Sequence, residues 1–164
     1  MNPISSDIVE KTWKRAGGMS PQEAPKMINL MGKQQPLVLT YLMAVGGDTL
    51  NQDERELLLY IGVVVWQIMS QGTTPLPKIT EKTLDKVEGP NMKMLEYLES
   101  ETETGFIETV KRIVKNYHQP EVLRYVLEAL MEEREEGCLI RDKNKGIIVI
   151  YLKTVIDCFD KGES

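Results

Sequence analysis

The chain has 164 residues, is 41% hydrophobic and 27% charged, and carries a formal charge of -5. Such a length can bury an adequate core in one domain without disulfides or metals, and the acidic field disfavours nucleic acid and anionic membrane surfaces as partners. Two cysteines, Cys138 and Cys158, are too few for a disulfide framework, and the start Met1-Asn2-Pro3-Ile4-Ser5-Ser6 lacks the basic-then-apolar pattern of a signal peptide.

Helix punctuation dominates the first half. Ser5 or Ser6 is placed to cap a helix carrying Ile8, Val9 and Trp13 that stops at Gly17-Gly18. Ser20-Pro21-Gln22-Glu23 reads as a complete capping box, opening a helix that bends near Pro25 and ends by Gly32. From Pro36, the residues Leu37, Val38, Tyr41, Leu42 and Val45 share one helical face, and Gly46-Gly47 terminates it. Thr49 to Asn51 supplies the next cap, with Asp53, Glu54 and Glu56 in a first turn where negative charge opposes the positive end of the dipole.

The run from Leu57 to Met69 is apolar around its whole circumference, which predicts a helix enclosed by the others and leaving no face for water. It is also shorter than the roughly 20 residues of a membrane span. Gly62 in its interior predicts a close helix crossing, since a mid-helix glycine otherwise costs about 1 kcal/mol relative to alanine. Residues 71–78, containing Gly72, Pro75 and Pro77, form the expected linker.

Beyond the linker, the punctuation predicts a short helix from Thr80 to about Glu88, a break at Gly89-Pro90, and a helix capped by Asn91 with Met92, Met94, Leu95 and Leu98. A helix from about Thr104 to Tyr117 follows, with Phe106, Ile107, Val110, Ile113 and Val114 inward, then one from Pro120 to Gly137. Residues 138–151 admit two readings, a β-hairpin turning through Asp142–Gly146 or a loop leading into a helix. Helix is preferred from Ile147 onward, because an isolated hairpin is marginal in water and Lys153 and Asp157 are spaced as an exposed i,i+4 pair.

One phrase occurs twice. Gln35-Pro36-Leu37-Val38-Leu39-Thr40-Tyr41-Leu42 returns as Gln119-Pro120-Glu121-Val122-Leu123-Arg124-Tyr125-Val126, each copy preceded by an amphipathic stretch and followed by a long apolar run. Asp7-Ile8 with Trp13 also stands as far before its proline as Asn91-Met92 with Tyr97 stands before the other. The expected architecture is therefore an all-α bundle of about eight helices in a single domain over 1–164. Two similar antiparallel repeats, about 5–70 and 91–160, pack around the Leu57 and Ile147 helices.

No catalytic constellation is legible. His118, the single histidine, has no orienting partner or nucleophile in a local motif and reads as a helix-entry residue. One histidine and two cysteines exclude Glu-x-x-His di-metal and structural zinc sites, and neither cysteine has the setting that activates a thiolate. Gly17-Gly18 and Gly46-Gly47 lack the lysine and strand of a phosphate loop.

Glu132, Glu133, Glu135 and Glu136 crowd a helix C-terminus. They read as a solvated face neutralised by Arg141, Lys143 and Lys145, with a docking patch for a basic partner as the alternative. Nine methionines are more than such a chain usually carries; at helical spacing they read first as core filler, with an adaptable binding surface as the alternative, while Trp13, Trp66, Tyr41 and Tyr125 define no cofactor box.

The sequence thus points to a cytoplasmic, non-enzymatic interaction or regulatory module with a protein partner, a homodimer being one form. It assigns no catalytic, cofactor-binding or metal residue and no cofactor. The alternative function is a bundle holding a small apolar ligand in an internal pocket onto which His118, a tyrosine or a carboxylate converges.

Overall fold

The computed structural model describes residues 1–132 and 137–162, leaving aside the side chains of Glu103, Phe106 and Ile107. Among these residues there are eight helices: α1 (Ser6–Gly17), α2 (Glu23–Gln34), α3 (Pro36–Ala44), α4 (Gln52–Met69), α5 (Glu81–Glu99), α6 (Glu103–Asn116), α7 (Pro120–Met131) and α8 (Asp142–Lys161). Among the described residues there is no strand, and no helix is long and apolar enough to cross a membrane.

The local signals act largely as their chemistry dictates. Ser5, Thr80 and Thr102 cap α1, α5 and α6 through their side-chain oxygens. Asn51 and Glu54 form a reciprocal capping box at the start of α4. The box expected at Ser20 is half-formed. The Glu23 carboxylate accepts from the Ser20 backbone N–H, but α2 starts at Glu23 itself, and Gln22 caps it with no side-chain bond. Pro25 accordingly sits in the first turn, where its missing N–H costs nothing, and α2 runs past Gly32 to Gln34.

Further expectations are corrected. α5 is continuous through Gly89-Pro90, because the buried Asn91 just beyond the proline is held by three side chains of α8, and this tertiary anchoring outweighs the lost helical hydrogen bond. The equally spaced residues take different places in their helices, Asp7 in the first turn of α1 and Asn91 mid-way along α5. Asp142–Gly146 is the opening of α8 rather than a turn, and α7 ends at Met131, short of Gly137.

α4 and α8 pack against each other at the centre, with α1, α2, α3 and α7 around α4, and α5 and α7 against α8. Every residue of α8 from Ile148 to Phe159 is buried, as is α4 from Ile61 to Trp66. Gly62 lies where α3 crosses α4. A Cβ placed there would come within 2.5 Å of the Leu42 side chain, so a larger residue would force that side chain to shift and glycine lets it pack directly on the α4 backbone. α4 is not enclosed on all sides, however, because Tyr60 is 45% exposed.

The repeated Gln-Pro phrase has a structural cause. Gln35 and Gln119 are both buried and adopt nearly the same backbone conformation, φ -135° and ψ 63° against φ -118° and ψ 64°. Each amide clamps an extended segment that leads into another helix. Gln35 donates to the Pro77 carbonyl and accepts from Ile79 N–H before α5; Gln119 donates to the Asn2 carbonyl and accepts from Ile4 N–H before α1. Two backbone groups that no helix satisfies are thereby paired in each case.

The N-termini of α4 and α8 are joined by one buried carboxylate. Glu54 accepts from Arg141 Nε at 3.2 Å and Nη2 at 2.7 Å, from Arg141 N–H at 3.0 Å, and from Asn144 Nδ2 at 3.0 Å. Burial pushes its carboxyl pKa upward, but these hydrogen bonds and that from Asn51 N–H more than offset it and hold the group down at about 2. Since the folded value lies below the ordinary one of 4.5, this stabilisation is complete above that pH and is lost as pH falls toward 2. Glu54→Gln is therefore expected to lower the unfolding free energy measured by urea at pH 7 by an amount on the order of 1–3 kcal/mol, as for a buried group left mispaired. The gap to wild type should close between pH 5 and pH 2 in urea titrations at stepped pH; a constant gap contradicts this role.

Candidate functional site

Two regions carry side chains whose arrangement the core does not explain. The first is an apolar face built from α1, α2, α4 and α7. Tyr60 stands at its middle because it follows the fully enclosed Leu58 by little more than half a helical turn and so faces outward. On one side lies a groove of about 410 Å³ formed by Trp13, Leu57, Tyr125, Ala129 and Met131. On the other lies a groove of about 410 Å³ formed by Met19, Pro21, Met27, Ile28 and Val63. Trp13 and Met131 are exposed to 43% and 61%. A third depression of about 760 Å³ continues from Met19 and Met27 to Leu30, with Arg15 and Lys26 also lining it.

The second region is a polar seam along the buried helix α8. Asp157 accepts through one oxygen from Lys153 Nζ at 2.8 Å and Asn91 Nδ2 at 3.0 Å, and through the other from the Tyr117 hydroxyl. Asn91 also accepts from Lys153 Nζ at 2.8 Å and donates to Thr154 Oγ1 at 3.1 Å, while the Lys153 ammonium lies 5.2 Å from the Tyr117 ring centroid. Lys153, Asp157 and Asn91 are only 8%, 2% and 3% exposed, so the pair expected on the surface is in fact interior. The reason is that the apolar residues of α8 surround it and leave no polar face to turn outward. Burial, with the Asp157 carboxylate beside it, raises the Tyr117 phenol far above its usual range, so the phenol remains a proton donor in this network.

One turn further on, Asp160 accepts from Gln119 Nε2 at 2.9 Å and meets His118 Nδ1 at 2.8 Å. His118 therefore has the orienting carboxylate that its local sequence lacked. Its side chain is half-exposed at the surface, and among the described residues no nucleophile is bonded to it.

The remaining residues singled out in the sequence scatter. Cys158 is buried, and burial together with the Asp157 carboxylate pushes its thiol up to about 12, which makes it inert. Cys138 is exposed before α8, and the two are separated by roughly 20 Å of helix axis. Trp66 is core, and Tyr41 packs edge-on against Tyr151 with ring centroids 6.4 Å apart.

Met31 and Met69 are fully enclosed, whereas Met43 and Met131 are exposed. Of the acidic run, Glu132 is exposed beside the Trp13 groove; Glu133, Glu135 and Glu136 lie outside the described residues. Of the cations expected to neutralise that run, Arg141 pairs with Glu54 and Lys145 with Asp142, and Lys143 is exposed. Among the described residues no group of three or more His, Cys, Asp or Glu side chains is placed to hold a metal ion.

Compared with protein-family models, with curated proteins and with solved structures, the chain matches none.

The seam makes a sharp energetic prediction. Asp157→Asn leaves the Lys153 ammonium buried without its counter-charge and is expected to cost about 3–5 kcal/mol, while the joint replacement Lys153→Met with Asp157→Leu is expected to recover most of it. Urea denaturation of both variants checks this; equal stability of the single variant and wild type contradicts the pairing.

Proposed function

We propose that this chain is a non-enzymatic interaction module that docks an apolar segment of a protein partner on the α1, α2, α4 and α7 face. The observation that carries the reading is the exposure of Trp13, Tyr60 and Met131 around adjoining apolar grooves. Contiguous apolar surface of this kind is uncommon on a monomer and marks association sites. Tryptophan and tyrosine are the residues that most often anchor such contacts, and the flanking Met19 and Met27 let the grooves adapt to the shape that enters. The alternative of a small apolar ligand in an internal pocket needs His118 or a tyrosine converging on an enclosed cavity. His118 instead faces Asp160 at the surface, and the apolar grooves are open.

The test uses native mass spectrometry of the protein recovered from its own cells, as wild type and as the variant Trp13→Ser/Tyr60→Ser/Met131→Ser. The three side chains are exposed, so the melting temperature should stay within a few degrees, while the partner's affinity should fall by about tenfold or more. The expected result is an assembly, with another protein or with a second copy, that is present in wild type and lost in the variant. A monomer in wild type, or an assembly that the variant retains, contradicts the reading.

A further inference from the structure

Between α5 and α8 runs a groove of about 740 Å³ whose chemistry is the reverse of the protein's overall charge. Lys82 and Lys86 line it from α5, Lys153 and Lys161 from α8, and among the described residues Asp157 is the only carboxylate on its wall. Four lysines against one aspartate leave a formal +3 in a chain whose total is -5.

Lys82, Lys86 and Lys161 are exposed and have no ion-pair partner among the described residues. The convergence follows from helix geometry. Lys82 and Lys86 are one turn apart on α5, and Lys153 and Lys161 are about two turns apart on α8, so the ammonium groups spread along roughly 12 Å of the groove. Its floor is built rather than incidental. Lys153 and Asn91 reach it although both are more than nine-tenths buried, and Lys153 commits its described hydrogen bonds to Asn91 and Asp157, which fix the ammonium in place.

We infer that this groove binds a small molecule carrying two or more phosphate groups. Its volume falls within the range of small-molecule sites, and the three unpartnered lysines beside the fixed Lys153–Asp157 pair offer charge at several points rather than at one. A nucleic-acid strand is not the occupant, because the net negative field opposes a long polyanion while a compact one meets only the local positive charge. The inference is independent of the apolar face.

Inorganic pyrophosphate is the probe, titrated calorimetrically into the full chain at low salt. The expected result is saturable binding of one equivalent below about 1 mM. Lys82→Gln/Lys86→Gln is expected to weaken it about tenfold with an unchanged melting temperature. The control Lys26→Gln/Lys33→Gln removes the same charge from exposed positions on α2 and should change it less than about twofold. Absence of saturable binding overturns the inference, and so does equal weakening by the two double variants, which would reduce the effect to overall charge.

Discussion

The structure depends on α8 being buried for twelve consecutive residues while carrying Lys153, Thr154 and Asp157 among them. A helix placed at the centre of a bundle gains from its apolar side chains wherever it turns, but an ion pair inside it tolerates very few surroundings. Asp157 needs donors and Lys153 needs acceptors, and water reaches neither freely. Asn91 and Tyr117 meet these needs, and with Thr154 the set closes so that nearly every donor and acceptor has a partner.

That requirement places the rest of the second half. Asn91 must lie opposite residues 153–157, which sets the register of α5 along α8 and brings Leu95 and Leu98 onto Ile150. It also carries α5 straight through Pro90. Tyr117 must reach Asp157, which draws in the junction between α6 and α7, and the next residues there, His118 and Gln119, then find Asp160. Gln119 in turn holds Asn2 and Ile4, so the chain start is tied to the end of α8. The opposite end of α8 is fixed by Arg141 and Asn144 on Glu54. With the centre filled by α4 and α8, Trp13 of α1 and Met131 of α7 are left at the surface beside Tyr60, the residue of α4 that faces outward.

Much of the fold was legible because it rests on local rules. Caps at Ser5 and Asn51, the α3 terminator at Gly46-Gly47, where positive φ requires glycine, and the crossing at Gly62 all follow from the chemistry of single residues. The central place of α4 followed from its apolar circumference, and that of the Ile147 segment from its position after the repeated phrase. What escaped was tertiary. The continuity of α5 was hidden because Gly89-Pro90 is a local break signal, whereas the bonds that override it come from residues more than sixty positions away.

Lys153 and Asp157 were misplaced by applying i,i+4 spacing without the circumference argument already used for α4. Ile147–Leu152 with Val155, Ile156, Cys158 and Phe159 covers every angle there too, and that signal was present in the sequence. The repeated Gln-Pro phrase was visible, but its cause, a glutamine amide clamping an extended segment of the chain, depends on which segments meet. The grooves around Tyr60 and the lysine-lined groove are products of the same meeting, and the sequence gives them no periodicity to be read by.

The central claim is that α8, with its buried ion pair, is the element around which the other helices are organised. Native-state hydrogen exchange measures this directly, since amides in the least separable part of a fold exchange only when the whole molecule unfolds. The account predicts that the amides of Ile148–Phe159 and of Ile61–Trp66 form the slowest class, with exchange free energies equal to that of global unfolding by urea. Amides of α8 that exchange well before those of α4, or at a free energy several kcal/mol below the global value, would contradict it.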